Sequence, residues 1–266
     1  MVWGRLRVTR ILAGAIAVLV ASALVATALL PSSPAPAREG GRGRPAPAIR
    51  SVGPARETAA PQPAGPPPSI IATLSGATSS SRAPGGLPLG SLPAKNPFGA
   101  AEVLAVIGRQ GDGTGAWLQV ELPVRPNGSS GWIPAGGVAL TETYYRVAVS
   151  LTAHTLTVSD AGKVVLTTPV AVGQPATPTP PGSTYLWELI RPDDPTGPYG
   201  PYIFGLAEYS DAYSVFNGGD AQIGIHGQDE PWSIGLAASN GCVRLPNQVI
   251  TDLAGLLPLG TPVAIS

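Results

Sequence analysis

Cysteine is nearly absent from this 266-residue chain; Cys242 is the only one. A single thiol cannot form an internal disulfide, so it is either an apolar filler or a free thiol with a chemical task. Histidine is almost as scarce, with His154 and His226 alone. One cysteine and two histidines without paired-ligand spacing do not make a zinc shell, so no metal or cofactor is expected. Charged residues are few, at 12%, and sixteen basic residues cancel sixteen acidic ones. The cancellation hides a split. Nine basic residues and only Glu39 and Glu57 precede residue 83, whereas seven basic and fourteen acidic residues follow. An acidic body argues against nucleic acid as a partner, because phosphate neutralisation needs the opposite sign.

Proline and glycine are abundant instead, at 31 and 34 residues, many of them in the first hundred positions. Such composition cannot bury a core throughout, so the folded part is shorter than the chain. Arg5, Arg7 and Arg10 precede an uncharged apolar run over residues 11–30. About twenty helical residues rise ~30 Å, enough to cross a bilayer. The run is either a membrane anchor or a signal peptide cut after Ala26-Thr27-Ala28. The positive-inside rule sends the remainder outward in both cases, so the body is expected to be extracytoplasmic, either anchored or secreted. Residues 31–95, rich in Pro, Ala, Gly and Ser, are expected to form a disordered tether.

Strand signals dominate the rest. Val103-Leu104-Ala105-Val106-Ile107, Trp117-Leu118-Gln119-Val120 and Gly131-Trp132-Ile133-Pro134 are short apolar runs divided by Gly-rich turns. Residues 96–141 thus predict a small β-barrel, and the segment resembles bacterial Src-homology-3-like domains. Trp117 and Trp132 are expected in its core, because so small a barrel needs large apolar side chains. Residues 143–266 predict a second, mostly β domain. Tyr145, Val147, Val149 and Leu151 alternate with polar or small neighbours. A hairpin follows, turning at Asp160-Ala161-Gly162, and Ile223-Gly224-Ile225-His226 reads as a strand entering a glycine turn. One helix is expected over 248–257 and a last strand over 261–265.

The chemistry concentrates in Ile225-His226-Gly227 and Ser239-Asn240-Gly241-Cys242-Val243-Arg244. A free thiol is mostly protonated at neutral pH. An adjacent imidazole activates it, as base or as stabilising cation. The sixteen residues between them leave room for a loop that sets His226 beside Cys242. Gly241 removes side-chain bulk before the sulfur, leaving backbone N–H groups there to face a developing oxyanion. His154 is expected on an exposed turn. Six aromatics between 199 and 216 either pin their Gly/Pro-rich loop to the core or form a lid, and Tyr202 among them is taken as a substrate contact.

These motifs, with Ser233-Ile234-Gly235, the Thr177-Pro178-Thr179-Pro180-Pro181-Gly182 loop and Gly260-Thr261-Pro262-Val263, resemble the L,D-transpeptidase catalytic domain, or YkuD domain, from Tyr144 to Ser266. The resemblance implies a β-sandwich-like fold, Cys242 as nucleophile and His226 as proton donor and acceptor. It implies orienting or backbone roles for Ser239, Asn240 and Gly241. Arg244 and Gly227 would lie against substrate. It also implies attack on a peptidoglycan tetrapeptide stem, release of D-alanine, transfer to an amine as a 3-3 crosslink, and covalent inhibition by carbapenem β-lactams. Two departures stand out: Asn240 where many members have His, and Gly227 where some have Ser, so that a backbone carbonyl would orient the imidazole. An L,D-carboxypeptidase and a noncatalytic wall-binding protein are the alternatives.

Overall fold

The computed structural model describes residues 65–266; the expected export segment and the first part of the expected tether lie outside the described residues. Strands begin inside the stretch assigned to the tether. β1 (Ser69–Leu74), β2 (Thr78–Ser81) and β3 (Pro88–Leu92) precede β4 (Val103–Gln110), β5 (Trp117–Glu121), β6 (Ser130–Pro134) and β7 (Val138–Thr143). All seven join in one antiparallel sheet of order β3-β2-β6-β5-β4-β1-β7. The tether therefore does not extend to residue 95, and the first sheet spans 69–143 rather than 96–141. The reason is physical. Ala72, Leu74 and Leu92 complete the cluster formed by Leu104, Leu118, Val120 and Ile133. The Ser-rich β2, poor in strand formers, is held by backbone pairing to β3 and β6.

Neither tryptophan fills this core. Alternation on β5 turns Leu118 and Val120 inward and leaves Trp117 half-buried on the opposite face. The same pattern on β6 buries Gly131 and Ile133 and leaves Trp132 half-exposed.

The second sheet is built from β8 (Tyr145–Ser150), β9 (Thr155–Asp160), β10 (Lys163–Pro169), β12 (Gly182–Ile190), β13 (Ile203–Tyr209), β14 (Gln222–His226), β16 (Val243–Arg244) and β17 (Pro262–Ile265). Its order is β10-β9-β8-β17-β12-β13-β14-β16. β8–β17 and β14–β16 are parallel pairs, and the others are antiparallel. β11 (Val172–Gly173) and β15 (Ala237–Ser239) form a separate parallel pair. The one α-helix among the described residues, α1 (Asn247–Leu256), follows Pro246 and packs Ile250 and Leu253 against the core. No described helix is long and apolar enough to cross a membrane.

The two sheets belong to one compact unit, Ala59–Ser266. β13 and the middle of β12, from Thr184 to Glu188, are almost wholly buried because both of their faces are covered. Leu186, Phe204 and Leu206 face the main core, while Tyr185, Trp187 and Ala207 pack with Ala105 of β4. This junction holds four carboxylic acids: Glu102, Glu121, Glu188 and Glu208 are only 2%, 9%, 1% and 3% exposed. Glu102 accepts a 2.7 Å hydrogen bond from Trp187 Nε1. Both carboxyl oxygens of Glu188 and Oε1 of Glu121 have no partner among the described residues. Loss of hydration raises all four acids above the ordinary 4.5, and Glu121, Glu188 and Glu208 to about 7.

That burial sets an unusual pH dependence of stability. Glu121, Glu188 and Glu208 each hold their proton more tightly folded than unfolded, so their contribution is complete below about 4.5 and is lost as pH rises through about 7. A single carboxyl moved that far carries up to about 3 kcal/mol. Buried His226, lowered from 6.5 to about 4, works in the opposite direction, but only below about 6.5. The Tm is therefore expected to fall by on the order of 5 °C between pH 6 and pH 8. Glu188→Gln should raise the Tm at pH 8 and narrow that drop. Calorimetry showing a Tm that is flat or rising across the interval would rule this out.

Candidate active site

Strand β14 sets the imidazole. Gly224 and His226 are two residues apart and share one face of the strand. β16 runs parallel to β14, pairing Ile225 with Val243 and His226 with Arg244. That register places Cys242, one residue before β16, across from Gly224. The Gly224 N–H donates to Cys242 Sγ at 3.3 Å. A Cβ at Gly224 would stand 3.2 Å from Ile203 and 4.0 Å from the sulfur, so glycine keeps the space beside the thiol open. Sulfur and imidazole line one cavity of about 200 Å³, with Tyr199, Tyr213, Phe216, Asn240 and Arg244 on its walls.

His226 is 3% exposed. Its Nδ1 lies 2.5 Å from the Gly227 carbonyl oxygen. A carbonyl only accepts, so Nδ1 carries the proton and Nε2 offers its lone pair. The Tyr199 ring meets the imidazole edge-on, 5.1 Å between centroids, and Asn217 Nδ2 donates to the Tyr199 hydroxyl. Burial lowers the imidazole to about 4, with the Arg244 charge adding to the effect. Burial likewise raises the Cys242 thiol, against the Gly224 hydrogen bond and the Arg244 charge. The cavity thus presents a neutral thiol and a neutral imidazole. Of the two roles open to His226, base or stabilising cation, this environment suits the base.

Gly227 orients the imidazole through its carbonyl and cannot carry a side chain. An added Cβ would stand 2.9 Å from both Gly200 Cα and Pro201 Cδ and would collide with Asn247 Oδ1. Asn247, at the start of α1, accepts the Gln228 N–H at 2.7 Å and fixes the chain just past His226.

The cysteine turn is held from within. Ser239 Oγ accepts the Gly241 N–H at 3.1 Å and donates to the Cys242 carbonyl at 2.5 Å. Gly241 has φ +119, a conformation open to glycine alone at little cost. Among the backbone N–H groups expected near Cys242 to face an oxyanion, that of Gly241 is thus taken by Ser239 and serves the turn's geometry. The Thr-Pro loop braces the same turn from outside. Thr177 Oγ1 donates to the Ser239 carbonyl at 3.2 Å, and Thr179 Oγ1 donates to the Gly241 carbonyl at 2.7 Å. The sequence marks this loop as one of the motifs of the family resemblance, without a role; the alternation of Thr with Pro is the signal for its bracing.

Arg244 lines the cavity and donates from one guanidinium nitrogen to Glu230 at 2.7 Å. The Glu230 side chain is about half exposed, so that pair adds little stability. Asn240 is exposed at the rim. Tyr202 is not brought to the cavity. Its ring lies under Arg191, 5.0 Å from the guanidinium carbon, and its hydroxyl accepts a hydrogen bond from that residue. Tyr199, Tyr213 and Phe216 take the wall positions, while Phe204 and Tyr209 are buried in the fold. His154 sits in the β8–β9 turn with φ +51, its Nδ1 2.7 Å from the Gly235 carbonyl oxygen, and does not join the cavity. No group of three metal-ligating side chains occurs among the described residues.

The family model of the L,D-transpeptidase catalytic domain, YkuD, matches residues 144–265. Two curated relatives named as L,D-transpeptidase YkuD are similar as well. The one from Bacillus subtilis strain 168 is 39% identical over 122 residues, 46% of this chain and 66% of its own length. The one from Bacillus licheniformis is 35% identical over 155 residues, 56% of this chain and 86% of its own length. Among solved structures, the catalytic domain of the E. faecium L,D-transpeptidase acylated by ertapenem aligns at 27% identity and a TM-score of 0.35, over 47% of this chain and 98% of that one.

Proposed function

The chain belongs to the L,D-transpeptidase catalytic-domain (YkuD) family, and on that premise we propose that it is a peptidoglycan L,D-transpeptidase working through a Cys242 thioester. One observation carries the assignment of roles: the only thiol in the chain shares a cavity with a buried imidazole whose Nε2 lone pair is available.

The reaction follows from that pair. The donor stem lays the carbonyl of its third residue against Cys242 Sγ. His226 Nε2 takes the thiol proton as the S–C bond forms, so that thiolate appears only when an electrophile is present. The tetrahedral intermediate collapses, the C–N bond to the terminal D-alanine breaks, and the imidazolium protonates the departing amine. A thioester remains on Cys242. An amine of a neighbouring stem then attacks it. His226 accepts the amine proton and returns it to the sulfur, leaving a 3-3 crosslink and the resting site. Arg244, the cation on the cavity wall, suits a carboxylate of the stem. Carbapenems present a strained amide carbonyl to the same sulfur and are the covalent inhibitors expected here. A wall substrate lies outside the cytoplasmic membrane, in keeping with the apolar run at 11–30, a stretch outside the described residues.

Incubation with purified tetrapeptide-bearing muropeptides, followed by mass spectrometry, tests the assignment. Transfer gives dimers whose mass is that of two tetrapeptide monomers less one D-alanine. Tripeptide monomers alone would replace transfer with hydrolysis, and unchanged substrate would overturn the enzymatic assignment.

A further inference from the structure

One wall of the cavity that holds Cys242 comes from the loop between β13 and β14, residues 210–221, which contributes Ser210, Tyr213 and Phe216. Tyr213 and Phe216 pack on each other, 5.4 Å between centroids. The loop's own bonds are few. Ser210 N–H reaches the Ala221 carbonyl at the neck, Ser210 Oγ accepts the N–H groups of Ala212 and Tyr213, and a tight turn joins Phe216 and Gly219. Asn217 and Ala221 have φ +48 and +58, strained values for residues with side chains. A loop so built needs an outside support.

The support comes from the other sheet. Arg125, between β5 and β6, donates to the carbonyls of Ser210 at 2.9 Å, Tyr213 at 2.9 Å and Asp220 at 3.0 Å. Its guanidinium lies 5.1 Å from the centre of the Tyr209 ring, at the end of β13. Neighbours hold that arginine in register. Asn127 exchanges two hydrogen bonds with the Tyr209 backbone, at 2.8 and 2.9 Å, and the Tyr209 hydroxyl donates to the Pro123 carbonyl at 2.7 Å. Three carbonyl dipoles converging on one point repel one another unless a cation sits between them. The two terminal guanidinium nitrogens match two loop stems at once.

We propose that Arg125 is a positioning residue for the transpeptidation site: through it the N-terminal sheet clamps the 210–221 loop and thereby shapes the cavity wall that receives the donor stem. This rests on Cys242 as the acylated residue. Arg125 touches neither the thiol nor the imidazole, so its removal should spare the intrinsic chemistry and impair recognition of a large donor.

The test compares the full chain with Arg125→Ala and Arg125→Lys. In Arg125→Ala the KM for a tetrapeptide stem is expected to rise about ten-fold or more, with kcat changed far less. Alkylation of Cys242 by iodoacetamide, which needs no wall, should stay within about two-fold. Arg125→Lys, which keeps the charge and three donors, should recover part of the loss. Amide hydrogen exchange gives a readout independent of catalysis. The Asp211–Asp220 amides should exchange about ten-fold faster in Arg125→Ala, with β12 protection unchanged. Unaltered loop exchange, or alkylation and KM damaged together by general unfolding, would overturn the clamp. A wild-type chain that never acylates at Cys242 would instead overturn the proposed function, leaving exchange to decide the clamp.

Discussion

Cys242→Ala is expected to lower release of D-alanine from a tetrapeptide stem by at least ~10⁴-fold, to the level without protein. Removing a covalent nucleophile leaves only binding and electrostatics, and the chain has no second thiol to take over. Cys242 is half-buried as a residue, and one hydrogen bond, from Gly224, reaches its sulfur. Its loss should leave the Tm within a few degrees, so inactivity cannot be ascribed to unfolding. Cys242→Ser should be nearly as inactive. A hydroxyl of similar reach is a poorer nucleophile in a site whose burial already disfavours anions. D-alanine release measured by a coupled amino-acid oxidase assay decides the matter; a mutant keeping more than a tenth of wild-type turnover would exclude Cys242 as the nucleophile.

His226→Gln should cost ~10²- to 10⁴-fold in acylation rate, the range of a lost general base. The pH profile is more telling than the size of the loss. In the wild type the imidazole stays neutral down to about 4, and the thiol keeps its proton above its usual range. Both reactants are then in the required form across neutral pH. The acylation rate should be nearly flat from about pH 5.5 to 8 and should fall only as the pH nears 4. Without the base, only the rare thiolate reacts, so the mutant rate should climb about ten-fold per pH unit through neutrality. Stopped-flow acylation by a carbapenem gives both curves. Parallel slopes for wild type and mutant would mean that His226 does not take the thiol proton.

Much of the catalytic half was legible because its signals are local. The hairpin β9–β10, the strand ending at His226 and the turn before Cys242 each carry their own pattern of alternation, glycine and polar residues. Tyr202 and Tyr199 show the limit. Both lie in one Gly/Pro-rich aromatic segment, and only the return of β13 decides that Arg191 covers the first while the imidazole meets the second. β1–β3 were hidden for another reason. Their serines and prolines look like a linker, and their stability comes from pairing and from the sparse Ala72, Leu74 and Leu92. The four glutamates of the junction were invisible as a group. Each sits singly in a strand-like run, as a solvated residue would, and only the docking of β4 and β5 on β12 and β13 removes their water. Arg125 was silent for the same reason, since its three carbonyl partners lie 85, 88 and 95 residues away.

The most direct measurement is the mass of the intermediate. Mixing the chain with excess tetrapeptide donor in the absence of acceptor amine, quenching in acid and digesting should yield one modified peptide. It should be the one containing Cys242, heavier by the donor stem minus D-alanine, and hydroxylamine should release the adduct as a thioester demands. Donor consumed with Cys242 unmodified at every quench time, or the adduct found on another residue, would contradict a covalent route through this sulfur.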